Sequence, residues 1–383
     1  MASVYAPAPE PATRLGRYRQ LSPLACVRVS PICLGGMSIG DKWGKVFGSY
    51  MDKDMSFALL DTFYGAGGNF IDTANNYQDE SSEEFIGEWM EARGIRDQIV
   101  LATKYTSNFK RGQDDVVQKI NYIGNNRKSM HLSVNASLKK LRTSYVDILY
   151  VHFWDWDSSV EEVMNGLHTL VENEKVLYLG VSDTPAWVVS KANQYARMAG
   201  KTPFCIYQGS WSIMDRDLER DILPMCRAEG LAIAPFRVVG GGKIRTDAEE
   251  KRREESGEKG TRRAAFSSWL RTEDERRVCT ALEEIAPKVG AKTIQAVAIA
   301  YVMQKAPHVF PIVGGRKPEQ LLANLAALDI ALSPEHIKEL DAVAQFKPGF
   351  PYTIIGNGEE YDMLTKNAAV VDRWPHKQAI RPT

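Results

Sequence analysis

The sequence has no uninterrupted apolar run of the roughly 18 residues that a membrane-spanning helix requires. Its start, Met1 to Pro11, is rich in Ala and Pro and offers neither the basic opening nor the apolar stretch of a secretory leader. An excess of charge is missing too: 48 Lys and Arg balance 48 Asp and Glu, so nothing in the overall charge argues for nucleic acid or an anionic membrane surface as partner. The five cysteines (Cys26, Cys33, Cys205, Cys226 and Cys279) are odd in number, scattered and never in Cys-x-x-Cys spacing, which fits a reduced, cytoplasmic protein with structural thiols. Six scattered histidines form no His-Glu-x-x-His or comparable cluster, so no metal is expected. No Gly-x-Gly-x-x-Gly follows the first expected strand, which weighs against a dinucleotide-binding doubly wound sheet. These absences leave a soluble protein with a small ligand.

What is present is alternation. Apolar strands are expected at Val27 to Leu34, Asn69 to Ile71, Ile99 to Lys104, Ile148 to His152, Val176 to Ser182, Phe204 to Gln208, Leu231 to Phe236 and Val309 to Val313. Helical patterns separate them, among them one capped by Asp54 and running through Tyr64, one at Val160 to Asn173, and one at Pro318 to Leu325 with Pro in its first turn. Eight such units with near-continuous apolar strands predict an α/β protein, a closed (β/α)8 TIM barrel with extended loops. Residues 1–20 read as a flexible arm and 21–345 as the barrel. The stretch 243–277 reads as a charged insertion, a solvated helix or mobile loop, and 346–383 as a C-terminal tail, either lying over the barrel mouth or a simple surface appendage.

Polar residues at the C-terminal tips of barrel strands share one rim, so they carry information. Asp72, Lys104 and His152 end three successive strands, and Tyr77 follows in the loop after Asp72. Singly, each has an ordinary reading: a turn residue, a strand-end lysine, a satisfied core histidine. Together they form a device for acid/base work. A phenol with an unperturbed pKa of about 10 needs a neighbouring cation to act as an acid near neutrality. Lys104 supplies that cation, Asp72 the counter-charge that makes a buried ammonium tolerable, and His152 a hydrogen bond to a carbonyl oxygen.

The segments Ile71-Asp72-Thr73-Ala74 with Tyr77, Thr103-Lys104, and Leu149-Tyr150-Val151-His152 resemble the catalytic tetrad of the aldo-keto reductases, and the resemblance extends over residues 15–345. Within that superfamily the chain is most similar to the fungal aryl-alcohol dehydrogenases and their norsolorinic-acid-reductase-like relatives. The resemblance implies a (β/α)8 fold and an NADP(H)-dependent oxidoreductase that interconverts aryl aldehydes and benzylic alcohols by hydride transfer, with Tyr77 as general acid/base. A polyketide-pathway ketoreductase is an alternative that the tetrad does not distinguish. A second alternative is an NADPH-binding regulatory subunit resembling the potassium-channel β subunits.

The turn Gly314-Gly315-Arg316-Lys317-Pro318 follows the last strand and opens a helix, where backbone N–H groups and the Arg316 fork suit an anion. The resemblance places Gly314, Arg316, Gln320 and Asn324 in the element that holds the adenosine 2′-phosphate, hence NADP rather than NAD. It places Ser182, Asp183 and Gln208 at the nicotinamide carboxamide, with Asp183 where relatives commonly carry Asn, so that one amide donor is lost. Phe236 matches an aromatic that stacks on the nicotinamide ring, and Arg237, where many relatives have Ser, reaches the pyrophosphate or the solvent. Finally, Trp43, Tyr50, Trp154, Trp156 and Trp211 are flat side chains expected at the mouth, either as walls for an aryl substrate or as packing between loops and barrel.

Overall fold

A parallel strand covered on both faces must be apolar on both, whereas a polar side chain is tolerated where the strand runs out. The computed structural model describes residues 5–44, 50–257, 270–344 and 346–382, and it puts this rule to use. Eight parallel strands are hydrogen-bonded in the order β10-β3-β4-β5-β6-β7-β8-β9. They are β3 (Cys33–Gly35), β4 (Phe70–Asp72), β5 (Val100–Tyr105), β6 (Val146–Val151), β7 (Val176–Ser182), β8 (Phe204–Ser210), β9 (Ala232–Phe236) and β10 (Ile312–Val313). The ring closes between β9 and β10, where Ile233 N donates to His308 O at 2.9 Å and Phe310 N donates to Ile233 O at 2.8 Å. The expected (β/α)8 barrel is the observed fold.

Two separate cores follow from the alternation. Phe70, Val100, Ala102, Ile148, Tyr150, Ile206, Ala232, Ala234 and Phe310 fill the barrel interior. Ile71, Leu101, Leu149, Val181 and Tyr207 face outward and bury the apolar faces of the surrounding helices. Counting on by twos along the inner face leads from Phe70 to Asp72, from Ala102 to Lys104, from Tyr150 to His152 and from Ala234 to Phe236. The parity that fills the barrel therefore also aims the polar strand ends into its mouth.

Several boundaries differ from the expectation. The predicted strand Val27 to Leu34 is two strands, divided at Ser30 and Pro31, because Pro has no N–H to donate to a ladder. Its first half, β2 (Ala25–Val29), pairs antiparallel with β1 (Arg19–Ser22), and Leu21, Ala25 and Val29 join the interior core. The expected flexible arm is thus partly built into the fold. Leu15 is fully buried in a short 3-10 turn, and Thr13 Oγ1 donates to Ala66 O at 2.6 Å. The first major helix, α1 (Lys53–Gly65), is capped by Asp52, which accepts from Met55 N at 2.9 Å; Asp54 lies inside the first turn, where its charge suits the helix dipole.

Within the charged stretch 243–277 the described helix is exposed along most of its length and fixed at one point. Residues 258–269 fall outside the described ones, but the helix Asp247–Glu255 is anchored by a buried ionic cluster. Glu250, 4% exposed, accepts from Arg271 Nε at 2.9 Å and from Arg245 Nε at 2.8 Å. Burying charge is tolerable only because each ion is paired and multiply hydrogen-bonded.

Of the two courses open to the tail, its contacts follow the surface appendage. Arg220 Nε donates to Pro348 O at 3.0 Å and Tyr352 Oη to Asp221 at 2.7 Å, both at the mouth end of the helix Ile222–Glu229. Arg227 pairs with Glu359 further down the same helix, and Lys377 Nζ meets His308 Nε2 at 2.8 Å at the barrel floor. Among the described residues the tail contacts descend the outer wall, where Arg220 takes two of its carbonyls and Arg227 one of its carboxylates.

The interior is tight where Gly180 meets Tyr150: a Cβ at Gly180 would stand 2.5 Å from the Tyr150 ring and 3.1 Å from Ile206. Gly180→Ala is expected to destabilise the protein by about 1–3 kcal/mol in urea unfolding. Gly65→Ala, where a Cβ meets nothing within 4 Å, should leave stability equal or slightly raised.

Candidate active site

Lys104 is the centre of the mouth and has no solvent exposure. Its Nζ donates to Asp72 Oδ2 at 2.5 Å, to Thr73 O at 2.7 Å and to Tyr77 Oη at 3.4 Å. An ammonium has three protons, and all three are spoken for. Burial works against the charge, but Asp72 and the Tyr77 oxygen outweigh it and hold Lys104 above the ordinary lysine range. The fourth member, His152, lies edge-on to the Tyr77 ring with centroids 5.9 Å apart, and its Nδ1 is 3.1 Å from Ser107 Oγ. Asp72, Tyr77, Lys104 and His152, drawn from three strands and one loop, are thus brought together. A phenol hydroxyl and an imidazole edge share one small volume beside a buried cation, an arrangement suited to protonating and deprotonating an oxygen atom.

Burial and the Lys104 charge lower the His152 pKa from 6.5 to about 3. His152 is therefore neutral at neutral pH, with one N–H and one lone pair.

The expected cofactor residues occupy two sides of this centre. Ser182 pairs in register with Gln208, and Asp183 N donates to Gln208 O at 3.2 Å. Gln208 Nε2 donates to Asp72 Oδ1 at 3.0 Å, which joins this group to Lys104 and leaves the Gln208 carbonyl oxygen as an acceptor. Asp183 has a positive φ of 39° and an exposed side chain. Desolvation pushes its carboxyl up toward about 6 while Lys104 pulls it back, and the exposure limits the rise. Phe236 ends β9, with exposed Arg237 next to it at φ 59°.

On the other side, β10 pairs with β3 and leads into the Gly314-Gly315 turn. A Cβ at Gly315 would find nothing nearer than Gln320 Oε1 at 4.0 Å, so the backbone is open to a ligand. The helix Pro318–Leu325 begins where the sequence predicts, carries no side-chain cap, and sets Gln320 and Asn324 one turn apart. An uncapped helix start two residues after Arg316 in sequence fits a phosphate, and the whole set fits a phosphorylated dinucleotide.

The aromatic residues separate into three groups. Trp43 is at the centre, its ring edge-on to Tyr77 at 6.3 Å, and its backbone N–H donates to Gln78 Oε1 at 2.9 Å. Tyr50 and Trp156 are exposed, 57% and 66%, and Trp156 leans on Trp187 at 6.4 Å; Trp154 packs partly buried against the outer core. Trp211 takes the packing role and does not line the mouth: it is fully buried, with Nε1 donating to Glu219 at 3.0 Å, and packs the loop after β8 onto the barrel. Its indole N–H is satisfied by a buried carboxylate, which holds the ring in the core and away from the mouth.

Sequence reasoning missed the residues that brace the tetrad. Gln78, Asp79 and Glu80 all have positive φ directly after Tyr77. Gln78 Nε2 donates to Met37 O at 3.0 Å, so Gln78 links the first loop to the Tyr77 loop. Lys140, largely buried, donates to Asn75 O at 3.0 Å and pairs with Glu80 and Glu83 at 2.8 Å. The one readable signal was the polar run Tyr105-Thr106-Ser107-Asn108 immediately beyond Lys104.

The profile of the aldo/keto reductase family matches residues 31–345. An aryl-alcohol dehydrogenase [NADP(+)] of Phanerodontia chrysosporium is 64% identical over 382 residues, covering 99% of each chain. An aldo-keto reductase of Emericella nidulans is 50% identical, covering 92% of this chain and 88% of its own. Norsolorinic acid reductase B of Dothistroma septosporum is 48% identical, covering 96% of this chain and 94% of its own.

Because folded His152 binds fewer protons than the unfolded chain between pH 3 and 6.5, its contribution to stability is present above that window and lost as pH falls through it. An NMR titration should find the His152 imidazole still neutral at about pH 5, where a free histidine is mostly charged. A midpoint near the ordinary value would contradict the burial and the Lys104 charge as its environment.

Proposed function

The chain belongs to the aldo/keto reductase family, and from that premise we propose that it reduces aryl aldehydes with NADPH and oxidises the corresponding benzylic alcohols with NADP+. The observation that carries the reading is the buried Lys104 ammonium held between the Asp72 carboxylate and the Tyr77 oxygen. The aryl-alcohol dehydrogenase [NADP(+)] activity of the relative at 64% identity supports the substrate class and the cofactor.

When bound, NADPH supplies the hydride to the aldehyde carbon. Tyr77 donates its proton to the oxygen as negative charge grows there, and the adjacent Lys104 stabilises the phenolate left behind. Asp72 and Thr73 O keep Lys104 fixed and charged, so no reorganisation is needed at the moment of transfer. His152 holds the carbonyl oxygen within reach of Tyr77. In alcohol oxidation Tyr77 takes the proton back.

Ser182, Asp183 and Gln208 would hold the carboxamide, Phe236 would lie against the nicotinamide face, and Arg237 would stand near the pyrophosphate. Gly314, Arg316, Gln320 and Asn324 would take the 2′-phosphate. Trp43, at the wall next to Tyr77, suits a flat ring better than an alkyl chain, with Tyr50, Trp154 and Trp156 further out.

A panel of substituted benzaldehydes, aliphatic aldehydes and ketones, followed by NADPH consumption, tests the reading, with benzaldehydes expected to lead. Tyr77→Phe should lower kcat by about 10²–10⁴-fold with NADPH binding retained. Ketones as the best substrates would move the assignment to a ketoreductase, and no turnover alongside tight NADPH binding would overturn it. Arg316→Ala should weaken NADPH far more than NADH, and equal losses would remove the 2′-phosphate assignment.

A further inference from the structure

A neutral imidazole can help a carbonyl only if the nitrogen facing it carries the proton, so something must choose the tautomer of His152. We propose that Ser107 is a positioning residue that makes this choice: its hydroxyl donates to His152 Nδ1 and commits the N–H to Nε2, the nitrogen turned to the substrate oxygen. The inference rests on the aldehyde-reductase reading of the site.

Three observations carry it. The first is the contact itself, Ser107 Oγ to His152 Nδ1 at 3.1 Å, which is the only hydrogen bond that Ser107 Oγ makes among the described residues. A serine that accepted from Nδ1–H would leave its own proton without a protein acceptor, whereas a serine that donates satisfies both groups. The resulting Nε2–H also matches the lone pairs of a carbonyl, while the opposite tautomer would set lone pair against lone pair.

The second is the backbone. Thr106, a β-branched residue, is held at φ 101°, a conformation that L residues rarely adopt and that persists only where the surroundings over-determine it. They do so here: Gly124 N donates to Thr106 O at 2.8 Å, Asn125 Nδ2 donates to Thr106 Oγ1 at 2.8 Å, and His152 N donates to the same hydroxyl at 3.3 Å. The turn ends β5 abruptly after Lys104 and Tyr105 and brings the next side chain, Ser107, over to the end of β6.

The third is the reach of the clamp. Asn125 Nδ2 also donates to Phe153 O at 3.0 Å, and Asp155 N donates to Asn125 Oδ1 at 2.9 Å, so the Ser107 loop and the chain beyond His152 are tied to one residue. From the other side Asn75 Nδ2 donates to Ser107 O at 3.2 Å, which links Ser107 to the loop that carries Tyr77. Ser107 is thus fixed relative to both oxygen-binding groups. Burial and the nearby Lys104 ammonium disfavour an imidazolium, so the choice lies between two neutral forms.

The test uses the full chain labelled with 15N-histidine, with two-bond 15N–1H spectra reporting which His152 nitrogen is protonated. The wild type should show Nε2–H; Ser107→Ala should show a mixture of tautomers, with kcat for benzaldehyde about tenfold lower and NADPH affinity unchanged. Ser107→Thr, which keeps the hydroxyl, should restore both. Ser107→Asp, an acceptor only, should shift the proton to Nδ1 and lower kcat beyond the alanine variant. Wild type with Nδ1–H, or an alanine variant with wild-type tautomer and kcat, would overturn the assignment. The spectra need no turnover, so a protein that reduced no aldehyde would defeat the functional reading while the tautomer result still decided the role of Ser107.

Discussion

The architecture of the mouth depends on one buried charge. Lys104 has no water to solvate it, and an isolated ammonium in such a place would cost several kcal/mol. Its cost is offset by a carboxylate and a backbone carbonyl held at hydrogen-bond distance, and the third direction is left to a phenol. Breaking such a pair by removing one member is expected to cost about 3–5 kcal/mol, so the sequence around it tolerates little change. The outward neighbour of Lys104 is tied down too: Thr103 Oγ1 donates to Glu83, which pairs with Lys140, which in turn holds Asn75 O. A second buried ionic group thus supports the first from behind the sheet.

Much of this was legible from residue order alone, because barrel strands obey a period of two. Once Phe70 and Ala102 are assigned to the interior, Asp72 and Lys104 must follow them there, and His152 follows Tyr150 by the same count. The helix Pro318–Leu325 was readable because Pro and the preceding glycines punctuate the chain locally. The (β/α)8 class followed from the repetition of these local signals.

What was not legible depended on long-range contact. Trp211 and Trp43 are chemically alike, yet one donates to buried Glu219 and the other stands against Tyr77, and no local pattern separates them. The run of charges at Glu249 to Glu255 has the composition of a solvated helix. It is buried at Glu250 because Arg245 and Arg271, on either side in the sequence, converge on that carboxylate. The tail has no period of its own, and its course is set by Arg220, Arg227 and His308 on the wall it follows. Thr106 is the clearest case: a backbone angle normally avoided by threonine is imposed by partners 18 and 19 residues further along and by the end of the neighbouring strand.

Gln208 makes the two halves of the site inseparable. Its amide nitrogen is bonded to the same carboxylate that neutralises Lys104, while its oxygen is available to a carboxamide. Any ligand that pulls on that oxygen redistributes the hydrogen bonding of Asp72, and with it the field felt by the ammonium and the phenol. By thermodynamic reciprocity, the protonation state of the Tyr77–Lys104 pair must alter nicotinamide affinity by the same free energy with which the nicotinamide alters that protonation. On the proposed reading, a dinucleotide held by Gln208 would be an effector of the proton donor as well as its co-reactant, and its oxidised and reduced forms, which differ by one positive charge, would be distinguished by the pH at which they are bound.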